Sequence, residues 1–273
     1  MPIDFNESVI EEFRANAGRV GGPFTDARLI LLTTTGARSG APHTTPVGYL
    51  PDGERILVIA SAGGAPRHPA WYHNLVANPV VTVETGLFTY EAHATVLTGE
   101  ERDEIFARAA EADPGWAAYQ AKTSRVLPVV ALRQAFAGPP TASSWGEALK
   151  RIHETFRREL DLVRAEVARS GPVLGAQLRV NCLTVCQGLH MHHTGEDRGM
   201  FAALARQHPE LAPTMARLHE EHERVAVILG ELRKTLDGGD TATLLTDVDR
   251  LIAELEAHLA YEEDQLIPIL DAR

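Results

Sequence analysis

The sequence predicts a multidomain α+β chain, with a mostly antiparallel sheet or barrel in the first half and an all-α four-helix bundle in the second. Three observations carry this. Runs of β-branched and apolar residues of strand length recur between residues 29 and 132. A stretch with linker composition follows, "QAFAGPPTASSWGE" at 134–147. Beyond it, apolar positions return at three- and four-residue steps. At 273 residues the chain is long enough for two ordinary domains, and 44% hydrophobic against 23% charged residues is the balance of a packed protein rather than a disordered one.

The elements can be taken in order. Residues 6–17 and 99–121 read as helices. Strands are expected at 29–34 (LILLTT), 56–60 (ILVIA), 80–84 (VVTVE), 87–97 (LFTYEAHATVL) and 126–132 (VLPVVAL), separated by turn-rich pieces such as "TGARSGAPHTTP" and "SAGGAPRHPA". "YLPDGERILVIA" reads as a hairpin with Asp52 and Gly53 at its turn. No regular βαβ alternation appears, which favours antiparallel pairing over a doubly wound sheet. This gives a first domain at 1–134, a linker at 135–146 and a second domain at 147–273. Helices in the second are expected near 145–169, 174–206, 212–236 and 241–265, with Leu218, Val225, Ile228, Leu229 and Leu232 marking one apolar face. Connections this short imply antiparallel neighbours.

Composition excludes some functions. A net charge of −11 argues against nucleic-acid binding, which needs clustered Lys and Arg. No apolar run approaches the roughly 18–20 residues that span a bilayer, and residues 1–20 are too acidic and polar for a signal peptide. With Cys182 and Cys186 as the two cysteines, no disulfide framework exists, and a reducing cytoplasm is the expected location. The sequence leaves a homodimer open.

Of twelve histidines, four precede residue 140 and eight follow it, an asymmetry that assigns different chemistry to the two domains. Each predicted helix of the bundle carries histidine. The first has His153. The second has His192 and Glu196, four apart on one face, with His193 beside them. The third has His222, with His219 one turn earlier, and the fourth has His258 and Glu262, again four apart. A single such histidine is more often a polar surface group than a ligand. The set is different, because burying several imidazoles and two carboxylates without a cation leaves costly unpaired groups. Facing helices that aim such groups inward can hold a pair of metals bridged by carboxylates, and imidazole with carboxylate suits iron, manganese or zinc.

Together "IHETFRRELDLV", "GLHMHHTGEDRGMF", "LHEEHERV" and "HLAYEEDQLIPIL" resemble the hemerythrin-like (HHE cation-binding) domain over about residues 147–270. The resemblance implies a non-heme di-iron site with His153, His192, Glu196, His222, His258 and Glu262 as ligands. It adds His193, at a position where some relatives supply a further carboxylate. Oxygen, peroxide or nitric oxide would be its small-molecule partners. One departure bears on reversible oxygen carriage. Oxygen-carrying members place two histidines four apart on the third helix, whereas His219 and His222 are three apart and position 218 is Leu218. A changed ligand set alters both redox potential and open coordination positions. His190 is expected behind the ligands, His208 on the surface, and the cysteines as small core residues.

In the first half, "TGARSGAP" is a Gly-rich turn whose backbone N–H groups, Ser39 hydroxyl and Arg38 cation could receive a phosphate. "SAGGAPRHPAWYHN" adds a Gly pair, Arg67 and the Trp71-Tyr72 pair, which could wall a flat ring; ordinary turns with core aromatics are the other reading. With "AYQAKTSRVLPVVAL" at 118–132, these stretches resemble the deazaflavin-dependent nitroreductase and quinone reductase family over about residues 5–133. The resemblance implies a split β-barrel of the FMN-binding-like kind, coenzyme F-420, and hydride transfer to a quinone or nitro compound. It implies Arg38, Ser39 and Thr44 near the phosphate and tail, and Ser61, Gly63, Gly64, Arg67, Trp71 and Asn74 along the deazaflavin. Tyr119 would sit over the acceptor as the catalytic proton donor. Ala62 and His43 stand where relatives often carry Lys or Arg, so FMN is the alternative coenzyme. A rival reading makes the chain an iron or oxygen sensor in which the barrel only holds a cofactor, because ligand residues are the same for a sensor and a catalyst.

Overall fold

Six antiparallel strands close into a barrel in the order β1-β2-β3-β6-β5-β4. They are β1 (Leu29–Thr35), β2 (Pro42–Asp52), β3 (Arg55–Ile59), β4 (Val80–Glu84), β5 (Thr89–Val96) and β6 (Val129–Phe136). This computed structural model describes residues 3–25, 27–136, 142–170, 174–237 and 241–272. The chain divides into two units, 1–141 with 175–180, and 142–174 with 181–273.

Alternation along the strands fills the barrel. Ile30, Leu32, Val47, Val58, Val81, Val83, Ala92, Val130 and Leu132 meet inside, joined by Trp71 and Leu75 of α2 (Ala70–Ala77). The opposite faces of three strands are also covered. Leu57, Ile59, Val129 and Ala131 pack against Ile105, Phe106 and Ala109 of α3 (Gly99–Ala112), and Leu29 and Leu31 against Val9 and Phe13 of α1 (Ile3–Ala15). Burial on both faces explains why β1, β3 and β6 read as nearly continuous apolar runs. Each fully buried side chain of this size contributes about 1.5–3 kcal/mol.

The structure corrects the sequence reading at four places. β2, expected as a turn followed by half a hairpin, is an eleven-residue strand carrying Pro42, Pro46 and Pro51. Proline is normally confined to sheet edges. Here residues 42–48 pair with β1 and residues 49–52 with β3, so each part of β2 has one partner along it and the missing N–H groups can face away from the ladder. The expected helix at 99–121 is two helices, because Pro114 disfavours helical backbone at Asp113. Asp113 instead caps α4 (Pro114–Ala121), accepting a hydrogen bond from the Gly115 N–H at 2.8 Å. α2 was hidden among turn signals, being only eight residues long. Finally, β6 continues to Phe136, paired with Glu91, so the expected linker is strand at its first residues.

The bundle follows its predicted segments closely. α5 (Trp145–Ser170) comes first, so the other end of the expected linker is already helical. α6 (Ala176–Gly195), a π-turn at Glu196–Met200 and α7 (Phe201–Gln207) form one continuous helical segment. α8 (Ala212–Leu236) and α9 (Leu244–Leu270) complete the set, with α9 packed against both α5 and α8. α9 outlasts its expected end, carrying Pro268 in its last turn. Asp271 then accepts a hydrogen bond from the Gly146 N–H at 3.0 Å, so an acid just past the end of α9 neutralises the positive end of α5. Among the described residues no helix is long and apolar enough to cross a membrane.

Residues 137–141 of the expected linker lie outside the described residues. We propose from its composition that the domain join lies at 135–146. Limited proteolysis is expected to cut there first and to leave two folded fragments; a chain whose earliest cuts fall inside the barrel or bundle helices would refute that join.

Candidate functional site

The helical unit gathers all seven sequence-predicted ligands. Their donor atoms form two adjoining sets, His193–His222–His258 and His153–His192–Glu196–Glu262, each with its atoms within 4.8 Å of one another. The two carboxylates stand between the sets. Glu196 turns Oε1 toward His192 Nε2 (3.1 Å) and Oε2 toward His222 Nε2 (3.7 Å). Glu262 Oε2 lies 3.4 Å from His153 Nε2 and 3.7 Å from His258 Nε2. Helical spacing makes this possible, since residues four apart stack on one face. The π-turn adds to it: the Phe201 N–H bonds the Glu196 carbonyl, so Phe201 returns beneath Glu196 and stacks on His222 at 5.4 Å. His193 stacks on the other side of the system, 4.2 Å from His222.

The chemistry of the set identifies what is wanted. His153 and Glu262 are fully buried, yet both Glu196 oxygens, both Glu262 oxygens and the Nε2 atoms of His153, His192 and His193 have no aligned hydrogen-bond partner. Burial, then the neighbouring Glu262 and Asp197 carboxylates, push the Glu196 carboxyl up to about 10. Burial, followed by the neighbouring imidazoles, pushes His192 down to about 3 and His193 further down. Burial lowers His153, but hydrogen bonds to Glu262 and Glu263 outweigh it and hold that imidazole above its usual value. The result is a buried cluster of imidazole and carboxyl groups with inner atoms left unpaired, the donor set of a borderline divalent or trivalent cation. The residues present therefore fit a pair of metal ions.

Three carboxylates outside the set orient it. His153 Nδ1 pairs with Glu263 at 2.9 Å, His258 Nδ1 with Glu221 at 3.0 Å and His222 Nδ1 with Asp197 at 2.9 Å. Each bond turns the Nε2 edge of the ring inward. Two of the carboxylates are themselves fixed by arginine, Glu263 by Arg157 at 2.7 Å and Glu221 by Arg217 at 2.8 Å. Burial raises the Glu263 and Glu221 carboxyls, but hydrogen bonds from these arginines and histidines outweigh it and hold both below the usual range. Asp197 takes exposed His219 as a second partner at 3.2 Å. His219 is thus outside the ligand set, and Leu218 is wholly buried in the apolar cluster at that end of the bundle. Contrary to expectation, His190 is exposed rather than packed behind the ligands, while His208 pairs with Glu210 at the surface. Cys182 and Cys186 are buried among leucines, with burial pushing the Cys186 thiol up to about 11.

In the barrel unit, a groove of about 1010 Å³ collects Arg38, Ser39, Thr44, Trp71 and Asn74 of the predicted cofactor residues, together with His43, His73 and Glu7. The Gly-rich turn is less open than its composition suggested. The N–H groups of Gly36, Ala37, Gly40 and Ala41 are bonded within the protein, to the Ala41 carbonyl, Asn74 Oδ1, the Gly36 carbonyl and Ser39 Oγ respectively. Arg38 is exposed and without an ion pair among the described residues. Asn74 lines the groove and also braces it, its amide donating to Thr34 Oγ1 at 3.1 Å. His43 bends back to Ser39 Oγ at 3.3 Å.

Ser61, Gly63, Gly64, Arg67 and Tyr119 do not line that groove. The loop at 60–68 packs instead on α4. A Cβ at Gly64, where φ is +84°, would lie 2.7 Å from the Tyr119 carbonyl oxygen, so only glycine permits this approach. Arg125 staples the loop by donating to the carbonyls of Ala60, Ser61 and Ala65. Its fourth contact, 2.9 Å to His68 Nδ1, makes that nitrogen an acceptor, because a guanidinium can only donate.

Residues 7–134 match the family described as F420H(2)-dependent quinone reductase, and residues 146–270 match the hemerythrin HHE cation binding domain. An F420H(2)-dependent quinone reductase of Mycobacterium tuberculosis is 38% identical over 124 residues, which cover 44% of this chain and 83% of that relative. The chain belongs to the F420H(2)-dependent quinone reductase family. It is therefore a deazaflavin-dependent oxidoreductase by family, and it carries a hemerythrin-like domain later in the sequence. Among solved structures, an F420-H2 dependent reductase is 40% identical, with 39% of this chain and 94% of its own covered at a TM-score of 0.36. Another, described as a domain-swapped dimer, is 36% identical, with 49% and 100% covered at a TM-score of 0.38.

Glu221, Glu263 and Asp197 of the hemerythrin-like domain were missed from sequence, although each is adjacent in sequence to a predicted ligand. Replacing them singly with Gln, Gln and Asn should weaken metal retention about 10–100-fold each while leaving helix content intact. Competition with a chelator measures this; unchanged retention in all three would show that the carboxylates are only packing partners.

Proposed function

We propose that the barrel binds the reduced deazaflavin coenzyme F-420 in the Arg38 groove and passes a hydride to a quinone or nitro acceptor. We propose further that the hemerythrin-like domain holds two non-heme irons that meet oxygen, peroxide or nitric oxide. For the barrel, the supporting observation is a groove large enough for a coenzyme with a tail, carrying an unpaired cation at its rim. For the bundle, it is the convergence of seven donor residues, with the inner atoms of Glu196, Glu262, His153, His192 and His193 unpaired.

When bound, the reduced deazaflavin supplies the hydride, and the protein supplies position and a proton. Arg38 holds the anionic part of the coenzyme by charge. Trp71, itself mostly packed in the barrel core, gives that wall rigidity. A quinone that accepts a hydride needs one further proton, and Tyr119 is assigned as its donor. Its ring is partly buried beside Trp116, with the Lys122 ammonium 5.2 Å above it. In the bundle, His153 and His192 would hold one iron, His193, His222 and His258 the other, with Glu196 and Glu262 shared between them.

Two measurements test the proposal. The protein as isolated should contain about two irons per chain, and the double variant His192→Ala, Glu196→Ala should lose most of them with little change in helix content. Full occupancy in that variant would overturn the ligand assignment.

Coenzyme titration tests the barrel. His43 lines the groove, so His43→Arg should tighten F-420 binding by about 0.5–1 kcal/mol, a gain that shrinks with salt. Ala62 lies on the exposed turn outside the groove, and Ala62→Lys should tighten binding only where that turn shares the same coenzyme. Tighter binding of FMN than F-420, indifferent to both charges, would refute the coenzyme assignment. Loss of the reduced coenzyme's hydride to an added quinone separates a catalyst from a holder of cofactor.

A further inference from the structure

The seven ligands are not equally sealed. His153 and Glu262 have no exposed surface and His258 almost none. On their side, Arg157 ties Glu263 to Glu256 across α5 and α9. The His192 ring is backed by Phe156 at 5.2 Å. Between α6 and α8 the wall opens. A cleft of about 150 Å³ reaches the rings of His193 and His222, and its rim carries His190, Asp197 and Glu223. His193 is itself 95% buried by its 5% exposure, and its Nε2 is one of the unpaired donors. Glu223 is largely solvent-exposed, whereas Asp197 is mostly covered and touches His222 directly.

We propose that this cleft is the route by which ferrous iron reaches the site, loading the three-imidazole half from the α6–α8 side. The proposal rests on the metal-binding reading above. A packed helical interior has no voids through which a hydrated cation could pass, so loading needs an opening where water can be exchanged for protein ligands. The cleft provides one. The exposed Glu223 and His190 and the mostly covered Asp197 line it together with the His193 and His222 ligands. Carboxylates at a mouth of this size concentrate cations and raise the association rate. They do so without being part of the final ligand set.

The test is the rate of ferrous iron uptake by the full metal-free chain under anaerobic conditions, sampled by chelator quench and iron counting. Glu223→Lys should slow uptake on the order of 3–10-fold, and the deficit should shrink as salt rises. Ala226→Phe, an exposed cleft residue enlarged, should slow uptake at every salt concentration by obstruction. Both variants should reach the final iron content of the unaltered chain. Glu210→Lys, the same charge change at an exposed position outside the cleft, should load at the unaltered rate. Unaltered rates in both cleft variants would overturn the route and leave the ligand assignment standing. A reduced final iron content in Glu223→Lys would also overturn it, by placing Glu223 in the ligand set, and in Ala226→Phe it would overturn it by showing that the larger side chain disturbs the site rather than its access. An unaltered chain that takes up no iron would instead overturn the metal-binding reading itself.

Discussion

Two carboxylates in the interior of a helical bundle set the conditions for everything around them. Removing a carboxylate from water costs several kcal/mol even after relaxation, and Glu196 and Glu262 are both withdrawn without a hydrogen bond to any of their four oxygens. Around Glu196, burial drives His192 and His193 toward the neutral form, whereas beside Glu262 the His153 imidazole is raised by hydrogen bonds to Glu262 and Glu263 that outweigh its burial. Burial and its acidic neighbours push the Glu196 carboxyl up to about 10, so it keeps a proton at neutral pH, yet neither of its oxygens has an aligned hydrogen-bond partner. A metal ion resolves the conflict at once, replacing several unmade hydrogen bonds with coordinate bonds. A metal bound by this donor set would thus couple its binding to the stability of the bundle.

Much of the second domain's architecture can be understood as holding that arrangement. Imidazoles rotate freely unless the outer nitrogen is fixed, and here three are fixed by acids, two of which are fixed in turn by Arg157 and Arg217. The π-turn serves the same end. A regular α-helix would carry Phe201 around the cylinder away from Glu196; the wider turn returns it to cover His222 and seals the site from below. Leu218 contributes by contrast. Its side chain completes the apolar cluster one turn from His222, and the third imidazole of that half comes from His193 on a different helix.

How much of this was legible depended on whether the information was local. The His192–Glu196 and His258–Glu262 pairs each lie within one helix, so spacing alone exposed them. The acids that orient the histidines were invisible because their partners are 110, 37 and 25 residues away. The same division holds in the barrel. β1, β3 and β6 announced themselves through residues buried on both faces. β2 did not, because its prolines contradict a central strand until the change of partner from β1 to β3 is known. Asp113-Pro114 was a local signal of a helix break. The bracing role of Asn74 was not legible, because sequence could not show that Ala37 and Thr34, some forty residues earlier, occupy both ends of its amide.

The two sites differ in how they remain stable before their ligands arrive. In the barrel, the N–H groups of the Gly-rich turn are satisfied internally, and Arg38 stays in solvent where its charge costs little. Such a site can stand empty, and its affinity comes from charge and shape added at its rim. In the bundle the recognising groups are buried and unpaired, so the ligand-free state carries the penalty itself. That difference follows from the ligands. An organic coenzyme brings surface and many weak contacts, and is held by a groove already formed. A metal ion brings only charge and directional bonds, and binds tightly where its donors have nothing else to bond.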